Sequence, residues 1–278
     1  MQSRLLILFI FLPIFLFLCS CDIDNPLEGR ERKERYDLPG NTIPDSLMEQ
    51  IRFVSQQNVL YGYWLASNGE RSGMTILFFG GNNDSMDDIW EKIVVLYDLG
   101  VNIFVFDYRG FGMSGGERSL EGLQADGLTA LSLTLAREEV DQDSIIFYSY
   151  SIGNSVAFKL AAEHFNPFSI VAESPLAQEN SFVNPFLVDG NSCNWLKDSG
   201  LNNIETVQEI EAPIMILCGA EDSQLRYDQN GRFIYWFAPD PKERIVIGEA
   251  DHDNIMSVMD PIGFKNCLRK WFYYCSIF

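Results

Sequence analysis

Apolar and polar positions alternate in blocks along most of the chain. Residues 52–54 and 59–66 have strand-like patterns on either side of a turn at Gln56-Gln57-Asn58. Residues 74–79 form a short apolar run stopped by Gly80-Gly81, as expected of a buried strand. Over 87–99, Ile89, Trp90, Ile93, Val94, Leu96 and Tyr97 recur at helical spacing. Acidic residues occupy the first turn and Gly100 stands just past the end. The alternation then continues. Strands are predicted over 101–106, 144–148, 169–172, 214–218 and 244–247, and helices over 119–139, 152–164, 225–237 and 262–274. Near-continuous apolar strands separated by helices imply an α/β fold whose mostly parallel sheet is covered on both faces. Such sheets carry their sites at the carboxyl ends of the strands, so candidate chemistry is sought in the residues that follow each strand.

The first residues do not fit this pattern. Arg4 precedes an apolar run over 5–18 broken only by Pro13, shorter than the roughly 20 residues of a spanning helix and suited to the core of a signal peptide. The run ends in Leu18-Cys19-Ser20-Cys21, which resembles the lipobox of bacterial lipoproteins. That resemblance implies cleavage after residue 20, lipidation of Cys21, and an exported protein held at a membrane of the cell envelope. A secretory peptide with an incidental cysteine, or an uncleaved anchor, is the alternative. Residues 21–44 are polar and turn-rich, with Asn25-Pro26, Pro39-Gly40-Asn41 and nearly cancelling charges over 28–35. They read as the lipidated cysteine and a linker, leaving 45–278 as the folded domain.

Composition narrows the partners. Lys plus Arg total 20 against 39 for Asp plus Glu, a net charge of −19. Such a surface repels phosphate backbones and argues against nucleic-acid binding. Apart from Cys19 and Cys21, the cysteines are Cys193, Cys218, Cys267 and Cys275. None forms a Cys-x-x-Cys pair, so neither a zinc ribbon nor a redox motif is supported. Cys267 and Cys275 lie about 12 Å apart along one predicted helix, too far to bridge.

The predicted strand at 144–148 runs into Ser149-Tyr150-Ser151-Ile152-Gly153, and a helix follows. Strand, tight turn and helix with serine at the apex resemble the nucleophile elbow Gly-x-Ser-x-Gly of the α/β-hydrolases, with Ser149 in place of the first glycine. Asp107-Tyr108-Arg109-Gly110-Phe111-Gly112-Met113-Ser114 resembles a loop found throughout that superfamily, whose role there is structural. Gly80-Gly81-Asn82-Asn83 is similar to the family's His-Gly-Asn loop, with Gly80 where many relatives have histidine. This likeness implies an oxyanion hole formed by the backbone N–H groups of Asn82 and Ile152.

Gly219-Ala220-Glu221-Asp222 and Gly248-Glu249-Ala250-Asp251-His252 follow the next two strands and resemble the family's acid and base loops, in the order Ser, Asp, His. The chain has two histidines. His164 closes a predicted helix, where a cation suits the C-terminal dipole, which leaves His252 as the imidazole base. Asp222 occupies the family's acid position; Glu221, Glu173 and Asp253 are neighbouring candidates.

The resemblance therefore implies an α/β-hydrolase fold with a small lid at about 174–213 and a Ser151–His252–Asp222 triad. The activity expected is cleavage of an ester, thioester or amide acyl bond through an acyl-serine, with no metal or organic cofactor. The implied partners are a small-molecule or acyl-protein substrate and a membrane reached through the lipid. A non-catalytic binding lipoprotein on the same scaffold is the alternative, hinted at by Gly80 and Ser149.

Overall fold

The fold is taken from a computed structural model, which describes residues 33–38, 43–82, 85–179, 196 and 199–277. The expected signal peptide, Cys21, Cys193 and residues 180–195, 197 and 198 of the expected lid lie outside the described residues.

Eight strands form one sheet in the order β1-β2-β4-β3-β5-β6-β7-β8. β1 (Met48–Ser55) and β2 (Asn58–Leu65) are an antiparallel hairpin, and β2 runs antiparallel to β4 (Asn102–Asp107). From β4 onward neighbours are parallel: β3 (Thr75–Phe79), β5 (Ile145–Tyr150), β6 (Ser169–Glu173), β7 (Ile214–Gly219) and β8 (Lys242–Ile247). Strands β3 to β7 are buried along their whole length, as their unbroken apolar runs predict.

Alternate side chains of these strands feed two cores. Leu77, Phe79, Phe104, Phe106 and Phe147 pack beneath α2 (Leu120–Leu135), α3 (Gly153–Glu163) and α5 (Gly231–Phe237). Ile76, Phe78, Val105, Ile146 and Tyr148 pack beneath α1 (Trp90–Tyr97) and α7 (Pro261–Cys275). Burying one such phenylalanine contributes about 1.5–3 kcal/mol, so the sheet's inner strands anchor the molecule. Among the described residues there are also two single-turn α-helices, α4 (Asn203–Thr206) and α6 (Ile255–Val258).

Several boundaries differ from the sequence reading, each for a local reason. Helix α2 starts where Ser119 Oγ accepts the Gly122 N–H at 3.0 Å and ends at Leu135, short of 139. Helix α1 begins at Trp90 rather than 87, because Ser85–Asp88 is a turn in which the Ser85 N–H donates to Asp88 at 3.0 Å. Helix α5 covers only the second half of 225–237. Its approach is a turn held by Asn230 N–H to Arg226 O at 3.0 Å and Arg232 N–H to Tyr227 O at 2.9 Å. Strands β5 and β6 run further than predicted, to Tyr150 and Glu173, which pair in register.

Residues 33–38, expected as part of the linker, lie on the domain. The Lys33 N–H donates to Gly112 O at 2.9 Å, Lys33 Nζ reaches Asp87 at 2.5 Å, and the Tyr36 hydroxyl donates to Asp107 at 2.6 Å. The neck of the expected lid is closed by a bridge between Gln178 and Asn202, with the Asn203 N–H donating to Ala177 O at 2.9 Å. Cys218, Cys267 and Cys275 are free thiols.

Candidate active site

β5 ends at Tyr150 and α3 begins at Gly153, so the chain must reverse within two residues. It does so by placing Ser151 at φ 53°, a left-handed conformation that costs a residue with a Cβ about 1–3 kcal/mol and persists only when surroundings enforce it. Two contacts enforce it here. The Ser151 N–H donates to Glu173 O at 3.0 Å, and Asn154 Nδ2 bridges Ser151 O at 2.9 Å and Glu173 O at 2.8 Å. The turn presses Gly153 against β3. A Cβ there would stand 2.3 Å from Phe79 O, so glycine is required. Two residues before the apex, Ser149 fits in place of glycine, its hydroxyl reaching Asn154 Oδ1 at 2.7 Å.

The next two loops are built against each other. A Cβ on Gly219 would lie 2.3 Å from Ala250 O, and the Glu221 N–H donates to Ala250 O at 2.9 Å. Asp222 turns its carboxylate inward: Oδ1 accepts the N–H groups of Gln224 at 2.9 Å and Leu225 at 2.7 Å, and Oδ2 lies 2.7 Å from His252 Nδ1. The base loop is closed on itself, with Asp251 Oδ1 accepting from Asp253 and Asn254 N–H, both at 3.0 Å. His252 Nε2 then lies 3.1 Å from Ser151 Oγ. All three side chains are buried. With Nδ1–H donating to Asp222, Nε2 is left as the acceptor for the Ser151 hydroxyl.

Burial works against a charge on His252. It is outweighed by the Asp222 hydrogen bond and charge, with Asp253 and Glu173 adding, so the ring's pKa is raised above its ordinary 6.5. Of the other expected acids, Glu221 is exposed, and Glu173 and Asp253 are engaged elsewhere. Glu173 accepts from Lys92 at 2.8 Å and Tyr148 at 2.5 Å, and Asp253 accepts from the Tyr150 hydroxyl. His164 caps the end of α3, exposed, 4.0 Å from Glu163.

Ile152 precedes the first helical residue of α3, where backbone N–H groups have no intrahelical acceptor. Asn82 follows β3 on the neighbouring strand, since β3 pairs with β5. Gly80 has open space where a side chain would project. The loop is braced from the far side instead: the Met86 N–H donates to Asp107 at 2.9 Å, and the Ser85 hydroxyl to Asp87 at 2.5 Å and Asp88 at 2.8 Å.

Arg109 of the 107–116 loop forks onto buried Asp126 of α2, with Nη2 at 2.7 Å and Nε at 3.0 Å. It is a structural brace away from the serine. Lys92 and Tyr150 were not singled out from the sequence: Lys92 reaches Glu173 across 81 residues, and Tyr150, beside Ser151 in the chain, meets Asp253 across 103, so no local pattern marks either contact. Among the described residues no cluster of His, Cys, Asp and Glu is arranged to hold a metal ion.

No protein-family model matches the chain. The uncharacterized protein YfhR of Salmonella typhi is 28% identical over 224 residues, spanning 75% of this chain and 76% of that protein. The alpha/beta hydrolase domain-containing protein aho-3 of Caenorhabditis elegans is 29% identical over 188 residues, covering 66% of this chain and 54% of its own length. Among solved structures, the Pyrococcus furiosus esterase Pf2001 superposes with a TM-score of 0.70 at 19% identity, over 89% of this chain and 99% of that one. The architecture is the α/β-hydrolase fold.

Proposed function

We propose that this chain, an α/β-hydrolase by fold, is a serine hydrolase that cleaves an ester, thioester or amide acyl bond. The observation that carries this reading is the continuous contact from Asp222 through His252 to Ser151, at 2.7 and 3.1 Å, on a strained turn at the carboxyl end of the sheet. Ser151 Oγ attacks the acyl carbon as its proton passes to His252 Nε2. The tetrahedral oxyanion rests on the N–H groups of Asn82 and Ile152, each such donor contributing about 3–4 kcal/mol. The imidazolium returns the proton to the leaving group as its bond to carbon breaks, and water repeats the sequence to release the acid. The esterase name of the Pyrococcus structure favours an ester among these substrates. The same reading has the chain exported and held at a membrane by lipid on Cys21.

A fluorophosphonate probe tests the chemistry. It should label the wild-type protein and not Ser151→Ala of equal circular dichroism. A folded wild type that takes no label would favour the binding-scaffold alternative. Mass spectrometry of the mature protein tests the anchor, since an unmodified Cys21 thiol would refute it.

A further inference from the structure

A buried ion pair behind the elbow takes no part in the chemistry above. Lys92 of α1 places its Nζ 2.8 Å from Glu173 Oε1, with side chains only 9% and 0% exposed. Removing two ions from water costs several kcal/mol each, and an apolar pair of similar volume often stabilises a fold as well. Stability alone is therefore a weak reason for the pair, and its surroundings supply another. Glu173 pairs in register with Tyr150, and its carbonyl accepts the Ser151 N–H at 3.0 Å. The Lys92 ammonium also stands 4.4 Å from the centre of the Tyr150 ring. That ring lies 5.3 Å from the His252 ring, and its hydroxyl donates to Asp253, the residue after the base. One lysine thus touches the residue that holds the nucleophile's turn and the ring that packs on the base.

We propose that Lys92 is a positioning residue of the hydrolytic site: its ammonium neutralises Glu173 and seats Tyr150 against His252, so that Glu173 does not compete with Asp222 for the base. The inference rests on the serine-hydrolase reading above.

The groups facing His252 set the direction of the effect. Asp222 approaches from the loop after β7, Asp253 from the base loop itself, and Glu173 from the end of β6; Tyr150 and Ser151 approach from the end of β5. Three carboxylates favour the imidazolium and burial opposes it. Lys92, reaching in from α1, offsets the Glu173 carboxylate. Without it, Glu173 would either act on the ring as a second, unopposed anion or draw it out of line with Ser151. The base would then keep its proton to higher pH and be unavailable near neutrality.

The test compares wild type, Lys92→Met, Lys92→Arg and the charge-neutral Lys92→Met/Glu173→Gln. The acid limb of the kcat/KM profile for a short acyl ester is read beside an NMR titration of His252. The chain's other histidine, His164, is removed as His164→Gln to assign the signal. In Lys92→Met both midpoints should rise by about half to one pH unit, a three- to tenfold loss below the limb. kcat should fall while KM holds. Lys92→Arg should restore most of the loss, and the double variant should bring both midpoints back to or below wild type. If Lys92→Met does not fold, the double variant decides, because it leaves no unpaired buried charge. Midpoints in a folded Lys92→Met equal to wild type, or a double variant lying above wild type, would overturn the proposal. The NMR titration does not need turnover, so an inactive wild type would count against the serine-hydrolase reading and leave this inference separately decided.

Discussion

Ser151 is held in its left-handed turn by the Glu173 carbonyl, the Asn154 amide and the absence of a side chain at Gly153. His252 is held in the same way by Asp222. His252 has two ring nitrogens, and Asp222 decides which carries the proton. Replacing Asp222 with Asn keeps the size of the side chain and favours the wrong tautomer. We expect Asp222→Asn to lose roughly three to four orders of magnitude in acyl-ester turnover while still folding, as steady-state kinetics and circular dichroism would show. Residual activity within tenfold of wild type would place the orienting acid elsewhere. The pH dependence follows from the same contacts. A general base must be unprotonated, and the His252 pKa is raised above 6.5. The acid limb of kcat/KM should accordingly have its midpoint above 6.5, and a midpoint below that value would contradict the electrostatics of the site.

At the scale of elements, the site is assembled by loops that lock one another. The β7 and β8 loops meet where Gly219 has no room for a Cβ, which brings the acid and base loops together although 30 residues separate Asp222 from His252. The 107–116 loop is fixed to α2 by the Arg109–Asp126 fork, with Arg109 Nη1 also donating to Gln56 at 2.9 Å in the β1–β2 turn. This explains a motif that is conspicuous in the sequence and yet stands apart from the reacting atoms. Arg109→Leu would leave Asp126 buried without its ion-pair partner, keeping only the backbone N–H of residue 109 at 2.8 Å, and should destabilise the domain by about 3–5 kcal/mol in urea unfolding. Arg109→Leu/Asp126→Leu should recover much of that loss, because no buried charge is then left over. A single variant as stable as wild type would show that the pair is dispensable.

Over the whole molecule, the segment 33–38 crosses the sheet's carboxyl end and closes over Asp107. Burial pushes the Asp107 carboxyl up to about 7, against the opposing hydrogen bonds from Tyr36 and Met86. A carboxyl with a folded pKa above its unfolded 3.8 contributes stability that is fully present below 3.8 and is lost as pH rises through about 7. Asp107→Asn cannot ionise, can accept from Met86 with its carbonyl and can donate to Tyr36 with its amide. Thermal melts should therefore show wild type losing stability relative to Asp107→Asn between pH 5 and about 8. A constant difference across that range would mean that Asp107 is already ionised at the lower pH. Alternating apolar runs and helical spacing were enough to read the layered α/β plan, because burial on both faces of a parallel sheet imposes a pattern every few residues. The turn at Ser151 was equally legible in Ser149–Gly153, since a tight strand-to-helix reversal restricts residue size within five positions. Tertiary structure alone decided where the acids point, that Lys92 faces Glu173, that α5 is cut short, and that Tyr36 belongs to the domain. Those outcomes depend on side chains meeting across 81 residues in one case and 71 in another. Local periodicity carries no trace of such a meeting; it exists only once the sheet has brought the strand ends together.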